Sequence, residues 1–216
     1  MRDVSRRGLA LSLLLSGVAG FVDAIGFIDT GGFFVSFMSG NSTQAGVEAF
    51  AHGIGAALTP LSLVAAFVVG VVIAAAMYRD GTRRAGVIAA SAGLVALSAL
   101  LAVAAPDSLT RFWALAAAMG ALNTLYLSDG RARVPITYAT GTLVTLGVAL
   151  AALITRSSTS GWQRPLLLWL ALAGGAVAGA AAHGLGSVVA LLGAAIVLAL
   201  AAAVLTVSSR RRGNTP

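Results

Sequence analysis

The chain is expected to fold as an all-α integral membrane protein, a helical bundle of six full spans plus two broken or re-entrant helices, built from two internal repeats. Three observations predict this. Hydrophobic residues fill 58% of the 216 positions and charged residues 10%, with a mean hydropathy of +0.94, whereas ordinary soluble domains carry about 25% charged residues. Uncharged apolar runs cover 53–78, 85–106, 112–128, 134–155, 165–182 and 184–209, and several exceed the roughly 20 residues needed to cross a ~30 Å hydrocarbon core. The third observation is repetition. Gly20 and Asp23 are answered by Gly120 and Asn123, 100 positions later. Ser39-Gly40-Asn41 and Gly46 are answered by Thr140-Gly141-Thr142 and Gly147 at 101, and Pro60 and Gly70 by Pro165 and Gly175 at 105. Small loop insertions account for the drift.

Taken in order, the candidate membrane segments are 8–28, 32–53, 58–78, 85–105, 111–128, 134–155, 165–182 and 185–207. The first is preceded by Ser5-Arg6-Arg7-Gly8-Leu9, which looks like a twin-arginine export signal. Asp23 interrupts the apolar run behind it and further segments follow, so positive charge before a first span is the favoured reading. If all eight segments cross, Arg79, Arg83, Arg84, Arg131 and Arg133 face outward, against the positive-inside rule. If 32–53 and 134–155 instead enter and leave on the same side, thirteen of the fourteen Arg become cytoplasmic and Arg111, beside Asp107, alone stays outside. Both termini are then cytoplasmic. Each half, 1–106 and 107–216, contributes three crossings, and the odd number turns the second half upside down, as in many transporters. Eight crossings would make a parallel 4+4 repeat; that alternative stays open because 134–155 is apolar enough to span alone. Gly175-x-x-x-Gly179 suits close helix approach, and Gly70 and Gly174 are expected to act likewise.

The composition excludes several functions. All fourteen basic residues are Arg and nearly all lie at segment ends, which sets topology and does not form a nucleic-acid face. No cysteine is present, so disulfides, thiol catalysis and thiolate metal sites are excluded. Glu48 and His52 share a helix face but make a poor metal site alone. No phosphate loop and no nucleophile–base pair is found, so neither a cofactor nor an enzyme is expected.

The chemistry is expected inside the membrane. Asp23 lies two-thirds of the way along the first apolar segment, where a carboxylate costs about 2.5–3.5 kcal/mol on insertion scales and must face a bundle interior or a wet cavity. It is also a candidate proton carrier; the structural alternative is that it bonds neighbouring backbone. Ser39, Gly40, Asn41, Ser42 and Thr43 follow, where a glycine break and capping side chains would restart a helix at depth. Such a start presents free N–H groups and partial positive charge. In the second half, Asn123 replaces Asp23, and Thr140, Gly141 and Thr142 form the matching wall with Thr137, Tyr138 and Thr145. The competing reading is that these hydroxyls bond their own helices and glue spans together.

Gly20-Phe21-Val22-Asp23-Ala24 followed by Phe37-Met38-Ser39-Gly40-Asn41 resembles the YoaK-like family of bacterial membrane proteins, a domain of unknown function. Its usual motif has Thr where Ser39 stands. Gly120-x-x-Asn123 and Ala139-Thr140-Gly141-Thr142 resemble its second conserved region. The resemblance covers nearly the whole chain and implies a polytopic inner-membrane protein of six spans, without a substrate. The expected function is a small-solute or ion transporter or channel with a central polar site between the repeats. The alternative is a non-transporting membrane protein, a sensor or assembly partner, whose intramembrane polar residues are structural. The expected partners are the lipid bilayer and a small solute or ion; small-residue faces allow a homodimer.

Overall fold

The computed structural model describes residues 6–77, 84–125, 127–128, 131–132, 137, 139–156 and 161–213. Their elements are α1 (Arg6–Thr30), α2 (Met38–His52), α3 (Ile54–Met77), α4 (Arg84–Ala104), α5 (Thr110–Leu122), β1 (Leu127–Ser128), β2 (Arg131–Ala132), α6 (Ala139–Ile154), α7 (Gln163–His183) and α8 (Ser187–Gly213). The two strands form one short antiparallel ribbon that the sequence pattern does not announce. Among the described residues, α1, α3, α4, α7 and α8 are long and apolar enough to cross a membrane. Large apolar side chains remain on the outside, among them Val177 (72% exposed) and Ile54 (82% exposed). In water such a periphery would aggregate; in lipid it costs nothing.

Segment 111–128 is expected to span, but α5 is helical for 13 residues, which is ~20 Å at 1.5 Å per residue. The reason is local. Asn123 Nδ2 donates to the Met119 carbonyl at 2.8 Å, and Thr124 Oγ1 donates to the Ala121 carbonyl at 2.8 Å. Side chains that bond the preceding turn favour helix ends over helix interiors. At the end of α1, Thr30 is followed by Gly31 and Gly32 with φ of 71° and 134°. Their N–H groups return to the Ile28 and Phe27 carbonyls, a left-handed closure that glycine adopts without strain.

Helix pairing follows the small residues. α1 packs on α7, α3 on α5, and α4 on α8. A Cβ on Gly20 would strike the Leu172 carbonyl, and one on Gly120 would strike the Phe67 carbonyl. A Cβ on Gly70 would strike the Ala117 carbonyl, and one on Gly175 the Gly17 carbonyl. The two crossings therefore use residues related by +100 on one helix and +105 on the other, the offsets seen in the sequence. Gly179 likewise meets the Phe21 carbonyl. Gly174 does not act this way: nothing lies within 4 Å of a Cβ placed there. Its neighbour Gly175 holds the contact face instead.

Polar contacts fix the helix directions. Asp29 at the end of α1 bonds His183 at the end of α7, Ser187 at the start of α8 and Arg111 at the start of α5. Trp113 Nε1 of α5 donates to Ser62 Oγ in the first half of α3 at 2.8 Å. So α1 and α7 run parallel, α3 and α5 run parallel, and the two pairs oppose each other. α3 starts at the end of the bundle where α1 stops, and the intervening 31–53 leaves and returns there. By the same argument α5 runs towards the opposite end of the bundle, where α7 starts. The start of α1 and the finish of α8 share that opposite end.

α4 and α8 form the middle of the core. Val87, Ile88, Ser91, Ala92, Val95, Ser98 and Ala99 make a stripe at helical spacing on α4, facing Leu191, Ala194, Ala195 and Leu198. Ser91 Oγ donates to the Ala118 carbonyl at 3.2 Å and ties α4 to α5.

Candidate functional site

The candidate site has two parts, a loop held on Asp23 and the contact of Asn123 with Thr137. After Gly32 the chain turns back along α1, and Asp23 Oδ1 accepts the N–H groups of Val35 at 2.8 Å and Ser36 at 2.7 Å. Asp23 lies six residues before Asp29, so the loop re-enters by ~9 Å. Asn41, fully buried, completes the hold. Its Oδ1 accepts from Phe34 N at 2.8 Å and its Nδ2 donates to Phe34 O at 2.6 Å. Val35 is fully buried against Gly26, where a Cβ would collide with it. Phe34 packs between Phe27, tilted against it at 4.7 Å, and Phe37, edge-on at 5.3 Å, and Gly40 leaves room for the Phe34 and Phe37 rings. Every buried backbone donor named here is matched, as irregular chain at membrane depth requires.

In the second half of the chain the contact is longer and weaker. Asn123 Oδ1 accepts from Thr137 N at 3.4 Å, and Asn123 Nδ2 donates to Thr137 Oγ1 at 3.1 Å. Thr137 is the counterpart of Ser36 at 101 positions, and α6 begins at Ala139 as α2 begins at Met38. Tyr138 lies outside the described residues.

The expected site residues divide accordingly. Asp23 and Asn41 meet on one loop, and Asn123 meets Thr137. Thr142 is buried, 4% exposed, at the position equivalent to Asn41. Ser39, Ser42, Thr43 and Thr140 lie on exposed faces, and Gly141 is half-buried. Ser42 Oγ donates to the Met38 carbonyl at 2.9 Å and Thr43 Oγ1 to the Ser39 carbonyl at 3.2 Å. Thr145 Oγ1 donates to the Gly141 carbonyl at 2.8 Å. None of these residues caps α2: its cap position is Phe37, which makes no side-chain bond. The expectation of a capped helix restart is corrected on this point, because Ser39, Asn41, Ser42 and Thr43 fall one to several residues inside the helix. Asn123 lies twelve residues beyond Arg111, ~18 Å from the end at which Asp23 lies ~9 Å deep. The two anchors thus sit at different depths.

A cavity of about 550 Å³ between α1, α7 and α8 is lined by apolar residues; neither anchor borders it. Among the described residues no group of three His, Asp or Glu could hold a metal ion. Glu48 Oε2 and His52 Nδ1 form an exposed pair at 2.8 Å.

A polar cluster not predicted as a site joins four helix ends. Asp29 Oδ1 accepts from Ser187 Oγ at 2.8 Å and lies 2.8 Å from His183 Nε2, while its Oδ2 lies 3.4 Å from Arg111 Nη1. Arg111 also covers the Phe112 ring at 4.3 Å. Arg111 therefore pairs with Asp29, 82 positions away, and not with its sequence neighbour Asp107. Asp29, Arg111 and His183 each lie at a helix end, but nothing in the sequence pairs them. Only the bundle brings them together.

The comparisons with known proteins place the chain among membrane proteins. Residues 11–204 match the family described as "Protein of unknown function (DUF1275)". The chain is 35% identical over 188 residues to a UPF0700 transmembrane protein of Rhizobium meliloti (strain 1021), covering 83% of this chain and 79% of that protein. No solved structure matches it. The YoaK-like membrane character read from the motifs is in keeping with both matches. A match that runs from within the first helix to within the last, together with the apolar bundle, makes this an integral membrane protein that belongs to the DUF1275 family.

Proposed function

We propose that this protein is a small-solute or ion transporter or channel of the bacterial inner membrane, and not an enzyme. Units 1–106 and 107–216 act as inverted three-crossing repeats, each carrying one re-entrant loop and half-helix. The observation that carries the reading is the duplicated anchor: Asp23 on Val35 and Ser36, Asn123 on Thr137. Paired broken segments in opposed halves are the arrangement from which transporters and channels build sites at depth. The opposed directions of α1 and α5 favour the inverted plan over the parallel 4+4 alternative. Arg6, Arg7, Arg84, Arg131, Arg156, Arg164, Arg210, Arg211 and Arg212 belong to the end where α1 starts, and Arg111 to the other. By the positive-inside rule the first end, with both termini, is cytoplasmic. In this reading Asp23 and Asn41 shape the wall of one half-pathway, Asn123 and Thr142 that of the other, and Ser39, Thr43 and Thr140 offer hydroxyls to the solute.

Two observations favour a second reading, a non-transporting sensor or assembly protein. The hydroxyls of Ser42, Thr43 and Thr145 bond their own helices, and the cavity is apolar.

Flux assays in proteoliposomes discriminate between the two. Transport requires flux of at least one small cation, anion or neutral solute, slowed in Asp23→Asn, which keeps a hydrogen-bond acceptor and copies Asn123. Absence of flux across the screen selects the second reading. Single cysteines at Thr30 and Gly55 should be labelled from one side, and those at Ala132 and Ser160 from the other. Labelling Thr30 and Gly55 from opposite sides would remove the inverted plan.

A further inference from the structure

Two buried side-chain atoms, Ser98 Oγ of α4 and Arg111 Nε of α5, have no hydrogen-bond partner among the described residues. One helix register brings them together. α4 ends at Ala104 and α5 begins at Thr110, so the two packed helices form an antiparallel hairpin. Ser91 Oγ donates to the Ala118 carbonyl at 3.2 Å and fixes the alignment. Seven residues on from Ser91 is Ser98, and seven back from Ala118 is Arg111. Seven residues are close to two helical turns, about 10 Å along each axis. Ser98 and Arg111 therefore lie level with one another, on the faces that carry the Ser91 contact. Ser98 is fully buried, where an unmatched hydroxyl is costly. Arg111 is loosely held as well. Asp29 Oδ1 serves Ser187 and His183 at 2.8 Å each, and only Oδ2, at 3.4 Å, reaches Arg111 Nη1. Charge-assisted bonds of this kind are usually about 2.7–2.9 Å long. The guanidinium is planar with five N–H donors in fixed directions, so the bond at Nη1 leaves the Nε–H unserved. Arg111 is also the second residue of α5, where a helix start adds partial positive charge.

We infer that Ser98 and Arg111 bind a monoatomic anion of the chloride class between α4 and α5. The Arg111 Nε–H and the Ser98 hydroxyl both donate to it, and the guanidinium charge compensates its burial. The donor set selects the occupant. A water bound to the same two groups has two protons of its own to place. The side chains beside Ser98, Leu94, Val95 and Ala102, and those beside Arg111 on α5, Phe112 and Leu115, are apolar and accept neither. An anion needs donors alone. The Arg111 side chain is 15% exposed, which gives an ion a way in from the end of the bundle where Asp29 lies. Binding of this kind does not require transport.

Thermal unfolding of the full chain in detergent, in sodium chloride against sodium gluconate at equal ionic strength, tests the site. Chloride should raise the wild-type midpoint by about 3–6 °C once it exceeds its Kd tenfold. Ser98→Ala removes the unmatched hydroxyl, so it should unfold no earlier than the wild type in gluconate and should lose the chloride increment. Arg111→Lys keeps a positive charge beside Asp29 but lacks the Nε–H, and it should lose the increment too. Should the lysine variant fail to fold, Ser98→Ala carries the test alone. Equal wild-type midpoints in the two salts, or an increment retained in either variant, would overturn the proposal. So would a Ser98→Ala protein that unfolds earlier than the wild type by the same amount in both salts, since the occupant would then be a water.

Discussion

Asp23 holds its loop through a carboxyl group, and Asn123 holds Thr137 through an amide. Asp23 takes two backbone N–H groups at 2.7 and 2.8 Å, and Asn41 adds two bonds to Phe34 from the helix that follows. Asn123 reaches Thr137 at 3.1 to 3.4 Å, while the same amide also serves the Met119 carbonyl at 2.8 Å. A carboxylate oxygen carries more charge than an amide oxygen and forms shorter, stronger hydrogen bonds. An amide, in turn, can donate to its own helix, and Asn123 does so where α5 ends. The helix crossings do not differ in this way. Gly20 on Leu172 and Gly120 on Phe67 are equivalent contacts at equivalent positions. Backbone packing is thus common to the halves, and the chemistry that suspends each loop is where they part.

Breaking the common feature should have the largest effect. Gly20→Val and Gly120→Val each force side-chain atoms into a backbone carbonyl that cannot swing aside, at a cost of about 3 kcal/mol or more. Both should remove the monodisperse folded peak on size exclusion in detergent. A large loss in one with none in the other would show that the crossings are not equivalent. Next comes the first anchor. Asp23→Ala leaves two buried N–H groups without an acceptor, at about 1–3 kcal/mol each, and should lower the thermal unfolding midpoint accordingly. Asn41→Ala frees the Phe34 N–H and carbonyl and should cost about 2 kcal/mol, measured in the same assay. The smallest change is expected from Asn123→Ala, about 1 kcal/mol, since its bonds to Thr137 are long and weak. Equal losses in Asp23→Ala and Asn123→Ala would erase the distinction between the loops.

Much of the architecture was legible in the residues. Apolar length located the five helices long enough to cross but also marked 111–128, where α5 is shorter. The arginine distribution favoured a same-side return of 32–53 and 134–155, with eight crossings as the open alternative. The offsets of 100 and 105 located the glycines that pack the two crossings. Other features were not. The partners of Asp23 are backbone N–H groups on a loop, and a backbone donor leaves no trace in residue type. Gly174 and Gly175 are identical as letters, and helix rotation alone decides which one meets α1. The Asp29–Arg111–His183–Ser187 cluster spans 158 positions, and no periodicity reaches that far.

The sequence by itself determined that the chain lives in lipid and that small residues at fixed offsets allow close helix approach. These follow from solvation and helix length, which are local properties summed along the chain. Only the tertiary structure decided what Asp23, Asn41 and Asn123 hold, that α5 stops short, and that four distant helix ends share one carboxyl group. Hydrogen bonds are directional and reach about 3 Å, so their pairing is settled only after the helices have packed.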